Sequence, residues 1–351
     1  MTPINDKADH DMYNGSAEVC SKPESLGLSS VALEEALQYL SRNSGKNGID
    51  QLVITRYGQL VFKGKEANVK HGVWSITKTF TTTALGLLID EGRVRLDTLA
   101  ADVVPELAAY YPTMRLRHLA SMTSGYRAEG DEPIGTYRHG PSRTPFIPAT
   151  PLFTPPGSRF AYWDSALNEL GLILTRIAGE PLRDLIQRRI GAAIGWQETD
   201  WTWGVMGEID GIPVNGGAGN HDRHVIISAE ALARWGQLFL MKGHWQGTQL
   251  ISEAWVNAAT SVQVPVNLLS GEGRGVYGFG WWVNGRQPNG ERYWPNQAAS
   301  VFAARGYNNN ICLVVPEWHM VIVRMGVDAA DVIMEAKVYD RFLQLLGQKI
   351  A

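Results

Sequence analysis

Ser75 and Lys78 stand three residues apart at the head of a helix-forming run, residues 79–91 (TFTTTALGLLIDE). Helical positions three apart share a face, one turn above the other. The serine hydroxyl and the lysine amine would therefore meet. A serine is a weak nucleophile until a base takes its proton, and a desolvated lysine can be that base. The helix N-terminus adds a field that favours developing negative charge. By itself the spacing also fits a capping serine and a solvated lysine on a surface helix. The neighbours weigh against that reading. Val73 and Trp74 before the pair, and Phe80, Leu85, Leu87 and Leu88 after it, are apolar. They predict a helix buried on most sides, where a lysine needs a reason.

The elements around the pair are read from periodicity and stop signals. Residues 29–42 (SSVALEEALQYLSR) form an amphipathic helix with a serine start. Residues 50–56 and 59–63 flank Tyr57-Gly58 as a hairpin. The helix after Ser75 stops near Gly92. Further helices are predicted over residues 165–178, 181–190 and 228–241, the last with Ser228 as its cap. Residues 128–156, rich in Pro, Gly, Ser and Thr, read as a long loop of the kind that often carries function. Strands return over residues 277–283, 300–304, 310–315 and 320–325, and a closing helix over 329–346. The expectation is an α/β (α+β) domain. One antiparallel sheet is built from both chain ends and flanked by helices, beside a mainly helical lobe. Residues 1–28 would be an N-terminal arm and 29–351 the domain. Its α/β lobe would take residues 29–92 and 271–351, and its helical lobe 93–270.

Composition narrows the function classes. The chain has 351 residues and a formal net charge of -3, without a dense Lys/Arg run, which argues against nucleic acid as a partner. No run of eighteen apolar residues predicts a membrane span. The polar start (MTPINDKADHDMYNG) lacks the apolar core of a secretory signal, so the expected location is cytoplasmic, or exported with a leader already removed. Two distant cysteines, Cys20 and Cys312, make no disulfide framework, and Cys312 reads as a small buried hydrophobe. The eight histidines show no metal-binding spacing, and no metal or cofactor is expected. The 12 tryptophans can serve as core or line a wide cleft.

Several further segments, in order behind the pair, carry a resemblance over about residues 26–346. They are His118-Leu119-Ala120-Ser121-Met122-Thr123-Ser124-Gly125, Pro155-Pro156-Gly157-Ser158-Arg159-Phe160-Ala161-Tyr162, Ser228-Ala229-Glu230-Ala231-Leu232-Ala233-Arg234, Tyr277-Gly278-Phe279-Gly280-Trp281-Trp282, and Ala303-Ala304-Arg305-Gly306-Tyr307. The sequence resembles the serine β-lactamase and penicillin-recognising family, in its class C-like branch. Carboxylesterases, D-amino-acid peptidases and aminohexanoate-oligomer hydrolases belong to that branch. The resemblance implies Ser75 as nucleophile, Lys78 as its partner and Tyr162 as the second-motif tyrosine. It implies an oxyanion hole from the backbone N–H groups of Ser75 and Tyr307, with Gly306 letting the strand come close. Which of Lys78 and Tyr162 is the formal base stays open, because two close titrating groups share their protons. The expected activity is cleavage of a small-molecule ester or amide through an acyl-enzyme. The alternatives are a true β-lactamase or D-amino-acid peptidase, and a binding protein that kept the fold without turnover.

Two departures bear on the substrate. Ala304-Arg305-Gly306 stands where β-lactamases carry Lys-Thr-Gly, which weakens the docking of a substrate carboxylate. Arg305 is a candidate substitute, unless strand alternation turns it to the other face. Asp164 stands where the second motif has asparagine. A carboxylate only accepts hydrogen bonds, so Asp164 near Lys78 would hold the lysine protonated and favour Tyr162 as base. Further candidate substrate contacts are Trp282, Asn310 and His221, and Tyr126 and Tyr137 are candidates to cover the cleft.

Overall fold

The computed structural model describes residues 22–129 and 147–348. The first long helix, α1 (Ser30–Asn43), is capped by Ser29, whose hydroxyl accepts from the Ala32 N–H. Strands β1 (Leu52–Arg56) and β2 (Gln59–Lys63) follow as a hairpin, turned by Tyr57 and Gly58, both at positive φ. Next come α2 (Thr77–Asp90), α3 (Asp164–Ala178) and α4 (Ala229–Leu240). The chain then returns to the sheet as β3 (Trp282–Val283), β4 (Phe302–Gly306), β5 (Asn310–Val315) and β6 (Met320–Arg324), and ends in α5 (Ala336–Leu346). The six strands are ordered β3-β4-β5-β6-β1-β2, every pair antiparallel. The early hairpin and the late meander are thus joined where β1 pairs with β6, Val53 opposite Val323.

Alternation along the strands sorts residues into two layers. Leu52, Ile54, Ala303, Ile311, Leu313 and Ile322 face α1 and α5. Val53, Ala304, Cys312, Val314, Val321 and Val323 face the α2 and α4 side. There Phe80 of α2 stacks on Trp235 of α4, with ring centroids 4.2 Å apart. Trp196, Trp201 and Trp203 pack around the same phenyl ring, so much of the tryptophan content is core. Every residue of α2 from Thr77 to Leu88 is buried. Threonines within it satisfy their hydroxyls on carbonyls, while Thr77 Oγ1 at its start accepts from the Val225 N–H. Thr81 donates to Gly217 O (2.8 Å), Thr82 to Phe279 O (3.0 Å) and Thr83 to Thr79 O (2.6 Å). Among the described residues no helix is long and apolar enough to cross a membrane.

Several boundaries differ from expectation. The arm expected through residue 28 ends sooner: Leu26 and Leu28 are buried in the α1/α5 layer, and Arg56 donates to the Leu26 carbonyl. The strand expected over 277–283 is a two-residue β3, because the backbone turns at Gly280, where φ is +76°. The closing helix begins at Ala336, seven residues later than expected. The preceding segment is tied down instead: Asp328 pairs with Arg324, and the Met334 N–H donates to Asn309 Oδ1. Finally α4, expected in the helical lobe, lies across the inner face of the sheet against β5 and β6.

Candidate active site

Ser75 sits in a single 3-10 turn, Trp74–Ile76, that runs directly into α2. Trp74 just before it adopts φ +52°, an uncommon conformation for a bulky residue that the surroundings must enforce. Its indole is held edge-on by Tyr307 (5.1 Å) and His224 (5.4 Å). The turn brings Ser75 Oγ to 2.7 Å from Lys78 Nζ, as the three-residue spacing predicts.

Lys78 is fully buried, and all three of its N–H donors are spent. They reach Ser75 Oγ at 2.7 Å, Asp164 Oδ1 at 2.8 Å and the Ala218 carbonyl at 2.9 Å. Nζ also lies 4.7 Å from the centroid of the Tyr162 ring. Burial is the largest influence on this ammonium and disfavours its charge. The Asp164 carboxylate and Tyr162 outweigh it, and the lysine is held above its ordinary pKa.

Tyr162 and Asp164 arrive together at the head of α3. The approach is pinned from both sides, the Phe160 N–H donating to Ser270 O and the Ala161 N–H to Met122 O (2.9 Å). Met122 is buried at φ +59° and serves this backbone contact. Trp163 occupies the cap position, and Asp164 is the first residue of α3, where the helix dipole favours a carboxylate.

The Ala218 contact has no counterpart in the sequence expectations. Residues 216–219 (GGAG) thread between α2 and α3. A Cβ on Gly217 would lie 2.0 Å from the Leu167 carbonyl, and one on Gly219 2.2 Å from the Trp74 carbonyl. The glycine run itself was the available signal, since close backbone approach requires it.

The end of β4 closes the site from the sheet side. A Cβ on Gly306 would lie 2.1 Å from Val73 O and 3.3 Å from the Ser75 nitrogen. The backbone at Gly306 therefore lies directly against the N–H of Ser75, and Tyr307 follows it onto Trp74.

The remaining candidates separate. Ala304 faces the α2 layer, so Arg305 beside it belongs to the opposite face. Arg305 donates to Tyr293 Oη and its Cζ lies 5.7 Å from that ring's centroid, so it is no stand-in for the missing lysine. Asn310 is buried and spends its amide on bracing the hairpin. It donates to Tyr307 O (2.7 Å) and accepts from the Gly326 N–H (3.0 Å), so it is a support rather than a substrate contact. Trp282 does adjoin the site, stacked on Tyr162 at 6.0 Å and on Tyr293 at 5.3 Å. His221 opens a short turn, His221–Arg223, and its side chain lies outside the described residues. Tyr126 is buried with its hydroxyl on Glu169 Oε2 (2.7 Å), so it covers no cleft. Tyr137 lies outside the described residues.

An antiparallel sheet with helices on both faces, and a buried Ser-x-x-Lys helix set against the end of β4, is the β-lactamase/transpeptidase-like fold. The family model described as Beta-lactamase matches residues 50–326, and the chain belongs to that family. Among curated proteins, it is similar to a putative D-alanyl-D-alanine carboxypeptidase of Escherichia coli O157:H7. The two are 22% identical, over 87% of this chain and 84% of the relative. Among solved structures, it is similar to a putative 6-aminohexanoate-dimer hydrolase from Bacillus anthracis. That pair has a TM-score of 0.64 at 21% identity, over 89% of this chain and 80% of the other. It is also similar to EstCE1, a hydrolase with promiscuous acyltransferase activity, with a TM-score of 0.67 at 15% identity, over 90% and 98% of the two chains.

Proposed function

We propose that the protein is a serine hydrolase that cleaves a small-molecule ester or amide through an acyl-enzyme on Ser75. The observation that carries this reading is the buried Lys78, bonded at once to Ser75 Oγ and Asp164 Oδ1 beside the Tyr162 ring. A lysine with all three protons engaged has no lone pair to offer. Tyr162 is then the group that takes the Ser75 proton, and the Lys78 charge supports the phenolate. Ser75 Oγ attacks the carbonyl carbon. The oxyanion is received by the N–H groups of Ser75 and Tyr307. As the tetrahedral intermediate collapses, the leaving alcohol or amine takes its proton from the Tyr162/Lys78 pair. Water then attacks the acyl-enzyme, gives a proton to the same pair, and Ser75 departs with its hydrogen restored.

The substrate reading rests on the sheet edge. Ala304 stands in place of a lysine and Arg305 is turned away, so this stretch of β4 offers no cation to receive a carboxylate. Trp74, Tyr307, Trp282 and Tyr162 offer aromatic surface around Ser75 instead. An uncharged ester or amide suits this site better than a penicillin. The peptidase relative supports a second reading, hydrolysis of a D-amino-acid amide. A binding protein without turnover is disfavoured by the complete Ser75, Lys78 and Tyr162 cluster. A panel of p-nitrophenyl esters, nitrocefin and D-aminoacyl p-nitroanilides, run with Ser75→Ala as control, tests the assignment. Ester turnover that vanishes in the variant is expected. Nitrocefin as the preferred substrate would overturn the substrate reading, and no turnover of any would overturn the hydrolase reading.

A further inference from the structure

We propose that Asn168 is a positioning residue for Lys78, acting through the peptide groups of Ala218. Asn168 lies on α3, four residues after Asp164, and is 2% exposed. Positions four apart share a helix face. That face thus gives Lys78 one acceptor directly, the Asp164 carboxylate, and fixes another at one remove. Asn168 Oδ1 accepts from the Ala218 N–H at 2.9 Å, and the Ala218 carbonyl accepts from Lys78 Nζ at 2.9 Å.

The three acceptors of Lys78 differ in how they are held. Ser75 is on the turn that leads into the lysine's own helix, and Asp164 is the first residue of α3. The third is a carbonyl in the glycine-rich stretch 216–219, which has little side chain with which to anchor itself. Thr81 holds the Gly217 carbonyl from α2 (2.8 Å), and Trp203 holds the Gly216 carbonyl (3.1 Å). Asn168 is the side chain that fixes the Ala218 N–H. Its neighbours on α3, Leu167, Leu170 and Leu172, are buried and apolar. An amide placed among them costs stability unless it is bonded, and the Ala218 bond supplies a reason for its presence.

Removing the acceptor would leave a buried N–H without a partner. The stretch would then shift toward another acceptor, and the Ala218 carbonyl would lose its aim at Nζ. The ammonium would keep two of its three bonds and Ser75 would face a looser partner. The kinetic part of this inference rests on Ser75 being the nucleophile, while the part concerning Lys78 itself does not.

The test compares wild type with Asn168→Leu, which has similar volume and no acceptor, and Asn168→Asp, which keeps an Oδ acceptor. The first readout is 15N NMR of the Lys78 ammonium near pH 6.5, where a buried, triply bonded NH3+ exchanges slowly with water. In Asn168→Leu its exchange should quicken by about tenfold, the scale of one weak charge-assisted bond. In Asn168→Asp it should stay as slow as in wild type. The second readout is p-nitrophenyl butyrate hydrolysis. Here kcat should fall about ten- to hundredfold in the leucine variant with KM nearly unchanged, and recover in the aspartate variant. Unchanged exchange in Asn168→Leu, or quickened exchange in Asn168→Asp, overturns the proposal. Should Asn168→Leu fail to fold, quickened exchange in the aspartate variant still overturns the proposal. A wild type that exchanges slowly yet hydrolyses nothing would overturn the hydrolase reading and leave the exchange comparison to decide the role of Asn168.

Discussion

Replacing Asp164 by asparagine isolates the charge that keeps Lys78 protonated. The carboxylate lies 2.8 Å from an ammonium with no solvent exposure. Two unit charges at that distance attract by about 6 kcal/mol at an effective dielectric of 20. That is an upper bound. Asp164 is itself 15% exposed and partly screened, and asparagine retains a carbonyl acceptor for one hydrogen bond. A fall in the lysine's apparent pKa, well short of that bound, is the working expectation. The sign follows from the balance of causes. Burial pushes the wild-type lysine down and Asp164 more than compensates, so removing Asp164 lets burial prevail. In wild type the basic limb of the kcat/KM profile should lie above the ordinary lysine range. In Asp164→Asn it should move to lower pH, because burial then acts unopposed by that carboxylate. The stability contribution follows the same titration. A raised lysine pKa gives stability that is full below the unfolded value of 10.5 and is lost as pH rises through the folded value. The stability gap between wild type and variant should therefore be widest at neutral pH and close in strong alkali. The assay is hydrolysis of a p-nitrophenyl ester from pH 5 to 10, corrected for spontaneous hydrolysis. No movement of either limb would refute the claim that Asp164 sets the protonation of Lys78.

Other perturbations have equally definite outcomes. Gly306→Ala places a methyl 2.1 Å from the Val73 carbonyl, which should push β4 away from Ser75 and lower kcat by about 10²- to 10³-fold, with circular dichroism unchanged. Glu169 is buried, its Oε1 has no partner among the described residues, and burial pushes its carboxyl up to about 8. A raised acid loses stability for the protein as pH climbs from its unfolded value, 4.5, through about 8. Glu169→Gln should therefore flatten a decline of up to about 5 kcal/mol in unfolding free energy, read by urea denaturation at pH 5 and pH 9. Asp328→Ala leaves the fully buried Arg324 guanidinium without its carboxylate and should cost about 3–5 kcal/mol, visible as a lower Tm.

The pattern of the chain made its framework legible. Ser29, Ser228 and the Tyr57-Gly58 turn marked their elements correctly. The Ser75–Lys78 contact was also readable, because helical spacing fixes it within one turn. What escaped were contacts made across the fold. Ala218 reaches Lys78 through a backbone carbonyl, which no side-chain motif announces. Arg305 looked like a substitute cation until the pleat of β4 assigned it to the far face. Asn310 and Tyr126 carry polar groups suited to a cleft, yet both spend them inside the structure, on the β4–β5 hairpin and on Glu169. The late start of α5 depends on the Arg324–Asp328 pair and the Asn309 amide, interactions between segments that local helix propensity does not register.

The most direct test of the central claim is covalent capture of the nucleophile. The protein is treated with a fluorophosphonate, its intact mass is measured and the modified peptide is sequenced. One adduct per chain, on Ser75 and absent from Ser75→Ala, is the predicted result. No adduct on the folded wild-type protein, or an adduct on a different residue, would contradict the assignment of Ser75 as the serine that attacks the substrate.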